Sequence, residues 1–173
     1  VRSTNLLIGS PLERVEDFRL LRGRGQFIAD INREGQYHAV ILRSPVAHAR
    51  NLTVTKPVGH EQSVFTADDM AADGVKSIHV VSKFPGHKAS DYPHLATGKL
   101  RFVGEAVAVC LADTRAGAED IAVQTGLDFD ALPPAIDMLS AAETGAPKVH
   151  DDWEDNVILD SLFEANPEGL GDA

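Results

Sequence analysis

The stretch "RFVGEAVAVCLADTRAGAED", residues 101–120, joins a strand pattern directly to a helix pattern and decides the fold class. The apolar run from Phe102 to Ala112 predicts a strand, and Gly104 and Glu105 interrupt it in mid-strand. A glycine inside a strand indicates a bulge or a close backbone approach. Since a strand running into a capped helix is also a common place for phosphate binding, the stretch is a candidate cofactor site.

The turn between this strand and its helix argues against a bound phosphate. Asp113 or Thr114 is expected to cap the helix, and Asp113 would repel an anion from the helix N-terminus. Gly126 is expected to end the helix, and "LDFDALPP", residues 127–134, alternates as a half-exposed strand that stops at the double proline. The helix presents one packing face, formed by Ala118, Ile121, Ala122 and Thr125. Strand, helix and strand in close order predict a scaffold rather than a cofactor loop.

Earlier segments add further elements to the same fold. The nearly continuous apolar run "YHAVILRS", residues 37–44, predicts a central strand covered on both faces. Extended chain is expected again at residues 52–54, and a short strand at residues 78–81. Residues 82–100 form a long polar stretch with several prolines and glycines, which predicts a loop with a function or a partner.

A short helix is predicted after Phe65. Thr66 is a suitable N-cap, Asp69 lies three positions later as in a capping box, and Gly74 supplies a C-terminal stop. Asp68 and Asp69 form a carboxylate pair, but the helix dipole favours acidic residues in a first turn. We therefore expect a structural role for this pair rather than acid–base chemistry.

Composition and charge narrow the class of protein. The 173 residues are 43% hydrophobic and 24% charged, which suits one ordinary core, and no apolar run is long enough to span a membrane. With no signal-peptide core near the first residue, we expect a cytoplasmic protein. From Asp113 onward fifteen residues are acidic and two are basic, which disfavours nucleic acid and anionic membranes as partners.

In contrast to the acidic C-terminal part of the chain, the N-terminal segment is basic. Its arginines could hold phosphate, but Glu13, Glu16 and Asp17 lie among them and favour a solvated or subunit-facing surface. Residues 11–22 fit either a short helix or a turn-rich arm. The glycines that follow lack the third glycine of a dinucleotide fingerprint, because Ile28 occupies that position. The arginines concerned are Arg14, Arg19, Arg22 and Arg24.

Candidate catalytic and metal-binding residues are few. The single Cys110 cannot form an internal disulfide and lacks the companions of a zinc or iron-sulfur site. His79, His87 and His94 are too widely spaced for a common metal motif. Glu105 could act as an acid or base if burial raised its pKa, although a strand glutamate beside glycine is more often exposed at a bulge or salt-bridged. No residue is therefore assigned as catalytic, cofactor-binding or metal-binding.

Several stretches occur in an order that resembles one family. They are "PLERVEDFRLLRGRGQFIADI", "HAVILRSPVAHARN", "HLATGKLRFVGEAVAVCLADTRAGAEDIA", "LDFDALPPAIDMLSA" and "GAPKVHDDWEDNV". Together they resemble the N-terminal portion of the molybdopterin-binding large subunit of the xanthine dehydrogenase, aldehyde oxidase and carbon monoxide dehydrogenase family. The resemblance spans roughly residues 8–158.

The resemblance implies an α+β fold, the α/β hammerhead, with a mixed sheet and a few short helices. It implies an N-terminal arm at residues 1–22, the hammerhead domain at residues 23–140, and an acidic C-terminal arm at residues 141–173 leading toward an absent molybdenum-binding domain. In the family, the molybdopterin contacts and a late glutamate base lie in domains that follow. No family cofactor contact can be transferred to this sequence.

Two functional hypotheses follow from the resemblance. The first is a non-catalytic scaffold and interface portion of a molybdenum hydroxylase, truncated or naturally split, and inactive by itself. Its partners would be a molybdenum-binding domain or subunit together with iron-sulfur and FAD subunits, so molybdopterin, 2Fe-2S clusters and FAD are implied for the full complex. The alternative is a stand-alone hammerhead module for binding or assembly without redox activity. In the first case the acidic arm would lie across the molybdenum-binding domain, and in the second residues 82–100 and the arm would be the contact surfaces.

Overall fold

The computed structural model describes residue 11, residues 13–80 and residues 82–162. The chain divides into two compact units, residues 1–36 and 37–173. In the first unit, the described residues hold the short helix α1 (Asp17–Leu20) and a 3-10 turn (Ile28–Asp30). Both alternatives for the N-terminal segment are therefore partly correct, since one helical turn is flanked by hydrogen-bonded turns.

The second unit is built on two three-stranded antiparallel sheets and one two-stranded ribbon. In the first sheet the strands lie in the order β1 (His38–Arg43), β7 (Ala106–Ala112), β3 (Val64–Phe65). In the second sheet they lie in the order β6 (Gly98–Leu100), β2 (Ala49–Thr55), β8 (Gly126–Ala131). The ribbon pairs β4 (Ile78–His79) with β5 (Asp91–Tyr92), and the helices are α2 (Ala67–Ala72) and α3 (Arg115–Gln124). This architecture confirms the predicted α+β class.

Strand β7 is buried on both of its faces, which explains its unbroken apolar sequence. Ala108 and Cys110 point toward α3 and pack with Ile121. Val107 is adjacent to Ala108 and therefore points to the other face of β7, where it packs with Leu100 of β6. Because side chains alternate across a strand, β7 contributes to two hydrophobic clusters at once. It therefore holds the first sheet between α3 and the second sheet.

The prediction that residues 37–44 form a central strand is wrong in position. Within the described residues, strand β1 is an edge strand that pairs with β7 alone, and its burial alternates along its length. Ile41 remains 44% exposed. The nearly continuous apolar run indicated that other elements cover both faces of β1. Within the described residues, the helix that packs against β1 is α3. The central position belongs to β7.

Two glycine predictions also differ from the structure. Gly104 and Glu105 precede β7 rather than interrupt it, and Gly104 has a φ of +87°, a turn conformation that a glycine adopts without strain. Helix α3 ends at Gln124, and Gly126 is the first residue of β8 rather than a helix stop. In both cases the glycine marks the boundary of a strand.

The two predicted helix starts are confirmed. The Thr66 hydroxyl accepts a hydrogen bond from the Asp69 N–H, and the Asp69 carboxylate accepts one from the Thr66 N–H at 2.6 Å. Thr114, the second of the two candidates, caps α3 by accepting from the Gly117 N–H at 3.1 Å. Gly74 follows α2 with a φ of +77°. In the ranges that the structure describes, no helix is long and apolar enough to cross a membrane.

Candidate functional site

Two of the sequence motifs are bound to each other by backbone hydrogen bonds. The Ser44 N–H donates to the Glu105 carbonyl at 2.8 Å, and the Gly104 N–H donates to the Ser44 carbonyl at 2.9 Å. Arg43 adds a guanidinium hydrogen bond to the Gly104 carbonyl at 2.8 Å. The "RSP" and "VGE" segments therefore meet at the start of β7, and the turn at Gly104 brings their backbones into register.

This turn places Glu105 in a buried position, where Arg101 balances its negative charge. The Arg101 N–H donates to one carboxylate oxygen at 2.6 Å, and the Arg101 guanidinium lies 3.6 Å from the other. Glu105 is one of the few buried charged residues in the described chain. Of the alternatives weighed from the sequence, the salt-bridged one is correct, while the expected bulge is a turn.

A buried lysine continues this polar region toward the acidic part of the chain. Lys99 donates to the Asp151 carboxylate at 2.6 Å and to the Lys148 carbonyl at 3.1 Å. The hydrogen bond from Lys99 lowers the pKa of Asp151 below its ordinary value. We call residues 147–158 the return segment, because Lys148 and Asp151 bring it back to Lys99 of β6.

The return segment is fixed by one asparagine and by a second lysine. Asn156 accepts from the Val149 N–H at 2.9 Å and donates to the carbonyls of Ala141 and Pro147, both at 3.0 Å. Lys88 forms an ion pair with Asp155. Two acidic residues of this segment, Asp151 and Asp155, are thus paired with lysines of the domain, and the contact of the acidic arm with a partner stays a prediction.

His150 lies where the return segment meets the turn. Its ring stacks on Trp153 with the centroids 4.2 Å apart. Burial lowers the pKa of His150, and the positive charges of Arg101 and Lys99 lower it further. The neutral imidazole is thus favoured in the fold, since protonation would add a third positive charge to a partly buried position.

His48, close enough to Asp151 to act on its charge, completes the cluster. Its Nδ1 lies 2.7 Å from the Pro133 carbonyl, and because a carbonyl can only accept, Nδ1 carries the hydrogen. The His48 carbonyl accepts from the Leu132 N–H at 2.9 Å. Among the described residues, His48 Nε2 and Arg101 Nε are sealed from solvent without a hydrogen-bond partner. We refer to the following residues as the polar cluster: His48, Lys99, Arg101, Glu105, His150 and Asp151.

The polar cluster borders a cavity of about 200 Å³. Its walls include Tyr92, His94, Arg101, Phe102, Glu105 and His150. Arg101 and Glu105 pair with each other here, and Asp91 of the same cavity wall pairs with His79. Val149 and His150 of the return segment also line this cavity, so it lies between the domain and the return segment.

A second cavity, of about 390 Å³, lies between β2, β6 and the start of α2. Both oxygens of Asp69 accept from Lys56 Nζ at 2.8 Å. This hydrogen bond, together with that from the Thr66 N–H, lowers the pKa of Asp69 to about 2. Asp68 is exposed and does not join this pair. Both aspartates lie in the first turn of α2, as expected, and Asp69 has a structural role there.

The remaining candidates are separated in the structure. His79 Nδ1 lies 2.8 Å from the Asp91 carboxylate, and His94 Nε2 lies 3.0 Å from the Lys76 carbonyl. Burial raises the pKa of the Cys110 thiol, which favours its uncharged form. A search of the described residues finds no group of three or more histidine, cysteine or acidic side chains that could hold a metal.

Two of the four N-terminal arginines form local side-chain contacts. Arg19 pairs with Glu16 at 2.9 Å, and the Arg22 guanidinium lies 3.7 Å above the Phe18 ring. These contacts favour the solvated-surface alternative over an anion site. Sequence reasoning missed Lys99 and Asn156, since a lysine or asparagine between structured segments gives no periodic or motif signal.

Comparisons with known proteins agree on one class of domain. A family model described as the α/β hammerhead domain of aldehyde oxidase and xanthine dehydrogenase matches residues 22–133. The nicotine 6-hydroxylase large subunit of Paenarthrobacter nicotinovorans is 34% identical over 160 residues, covering 89% of this chain and 19% of that protein.

Solved structures give the same result. Quinoline 2-oxidoreductase from Pseudomonas putida 86 superposes with a TM-score of 0.74 at 36% identity, over 86% of this chain and 19% of that one. A Cu,Mo-carbon monoxide dehydrogenase superposes with a TM-score of 0.68 at 26% identity, over 87% of this chain and 19% of that one. The chain thus spans about a fifth of the length of these relatives.

Proposed function

The chain belongs to the aldehyde oxidase and xanthine dehydrogenase family, and from this membership we propose that it serves as a non-catalytic scaffold within a molybdenum hydroxylase. The match confirms the hammerhead fold expected from the motifs. In this family the domain is one portion of a large subunit. Its proposed task is to position neighbouring polypeptide around a redox centre that other residues hold.

The observation that carries this proposal is that the residues of the family motifs form hydrogen bonds and an ion pair with one another. Ser44 and Gly104 hold each other's backbone, while Glu105 and Arg101 neutralise each other beneath the return segment. Groups that are committed to internal hydrogen bonds are poor candidates for binding substrate, because releasing them would leave buried charges unpaired. The arrangement supports precise placement of the chain rather than chemistry.

Molybdopterin, 2Fe-2S clusters and FAD are proposed for the full complex. Among the described residues Cys110 is buried in the core and no group of three or more metal-ligating side chains occurs, so these residues offer no ligand set for an iron-sulfur cluster. We therefore assign no cofactor contact to this domain. Substrate oxidation is proposed to occur on the molybdenum-binding part, with electrons leaving through iron-sulfur and FAD partners.

The proposal is tested by isolating the native polypeptide that carries this sequence. A tag inserted at the exposed turn around Gly59 allows purification under gentle conditions, and mass spectrometry then reports the length of the chain and its companions. We expect a chain several times heavier than 18.6 kDa, together with subunits that contain iron and flavin. A chain ending near residue 173 without such companions would favour a stand-alone assembly module.

A further inference from the structure

The most exposed apolar group in the second unit lies just after the double proline. Ile136, Met138 and Leu139 are 85%, 84% and 74% exposed. We call residues 136–139 the apolar knob. Other highly exposed apolar residues, such as Val58 and Val123, lie singly on the surface, which is ordinary for a protein. Three large side chains within four positions are not, and such a group marks an interaction surface.

The shape of the knob is fixed before any partner arrives. The Asp137 carboxylate accepts from the Ser140 N–H at 2.8 Å, and the Ala141 N–H donates to the Asp137 carbonyl at 2.9 Å. The hydrogen bonds from Ser140 lower the pKa of Asp137. Asn156 then ties Ala141 to the return segment at 3.0 Å. A preformed turn loses little conformational entropy on binding, so its apolar side chains contribute more of their burial energy to affinity.

The surroundings of the knob are acidic. Glu143 and Glu154 line one shallow depression of about 280 Å³ beside it. Neither of them, nor Asp152, forms an ion pair within the described part of the chain. Lys148 is the single lysine or arginine between residues 134 and 158. The partner surface should therefore combine an apolar socket with a basic rim, since like charges would oppose contact.

These features identify an interface and its occupant. We propose that the apolar knob docks into an apolar socket with a basic rim, formed by the polypeptide that follows this domain in the same large subunit. This inference rests on the proposed function. Relatives extend about five times the length of this chain, which supplies polypeptide of the required size. An intramolecular partner also suits a modest patch, because a tethered surface is present at high effective concentration.

Photo-crosslinking in the native full-length complex tests this proposal directly. Met138 is replaced by p-benzoylphenylalanine, and Val123 on the outer face of α3 receives the same replacement as a control of equal exposure. Irradiation should join position 138 to a peptide C-terminal to residue 173 of the same chain, in several-fold higher yield than position 123. Crosslinks to a second copy or to another subunit, or a yield no higher than the control, would overturn it.

A pair of charge variants tests the chemistry of the socket. Met138→Lys should open the docked turn to protease in the native complex several-fold more than Met138→Glu, because a basic rim repels lysine and tolerates glutamate. Equal cleavage of the two variants, or cleavage no faster than in the wild type, would contradict the basic socket. If the polypeptide is long and holds molybdenum but position 138 gives no such crosslink, the docking inference fails while the proposed function stands. A short chain without molybdenum would contradict the proposed function itself.

Discussion

Strand β7 and the apolar knob are similar in composition and opposite in burial. The strand reads "AVAVCLA" over residues 106–112 and is covered on both faces, whereas "AIDML", residues 135–139, projects its large side chains into solvent. Burying a large apolar side chain stabilises a fold by about 1.5–3 kcal/mol, so the knob leaves a substantial stabilisation unused within this domain. The strand serves the fold of this domain, and the knob serves a contact beyond it.

The largest effect is expected in the core beside β7. Leu100 is fully buried and packs against Val107. Leu100→Ala should lower the free energy of unfolding by about 2–5 kcal/mol, because it removes buried methyl groups and leaves a cavity. Urea denaturation of the purified chain measures this loss. A loss below about 1 kcal/mol would mean that the two hydrophobic clusters do not form the core.

An intermediate effect is expected at the link between knob and return segment. Asn156→Ala removes three hydrogen bonds to Val149, Ala141 and Pro147. We expect a loss of about 1–3 kcal/mol and faster hydrogen exchange at the Val149 amide. Gln124→Ala, which removes one exposed hydrogen bond to Asp120 on α3, is the matched control. Unchanged exchange at Val149 would show that the return segment is held by other contacts.

A smaller effect concerns pH and the Lys56–Asp69 pair. The folded pKa of Asp69 is lowered from 3.8 to about 2, so its contribution to stability is present above about pH 4 and is lost as the pH falls toward 2. Asp69→Asn should therefore flatten the decline of the thermal midpoint between pH 4 and pH 2. Asp68→Asn, at the neighbouring exposed position, should leave that decline unchanged. Identical profiles for both variants would contradict the assigned pair.

The smallest effect is expected at the knob itself. Leu139→Ala repeats the chemical change of Leu100→Ala at an exposed position, and surface changes of this kind usually stay within about 0.5 kcal/mol. The same urea denaturation of the purified chain measures it. A loss comparable to that of Leu100→Ala would mean that the knob belongs to the core of this domain and is not available for docking.

Local signals in the sequence predicted the local structure well. The Thr66 and Asp69 capping box and the packing face of α3 depend on residues three or four positions apart, and both form as expected. The position of β1 could not be predicted in the same way, because its cover depends on strands and helices far along the chain. A continuous apolar run does not by itself fix either the burial of a strand or its place in a sheet, since both depend on what packs around it.

The polar cluster shows a further limit of sequence reasoning. Glu105 stood out as a carboxylate in apolar surroundings, but its partner Arg101 and the neighbouring Lys99 gave no signal by themselves. Their roles arise from long-range pairing with Asp151 and from the turn at Gly104. The acidic composition of the last third of the chain likewise gave no sign that Lys99 and Lys88 pair with Asp151 and Asp155.

Metal analysis of the native polypeptide tests the central claim most directly. If this hammerhead domain is a scaffold within a molybdenum hydroxylase, the purified polypeptide that carries it should contain molybdenum in stoichiometric amount. Leu139→Ala should leave that content unchanged in the folded complex, because no metal contact is assigned to this domain. Full-length native polypeptide that contains no molybdenum, while remaining folded and associated with its partners, would contradict the account.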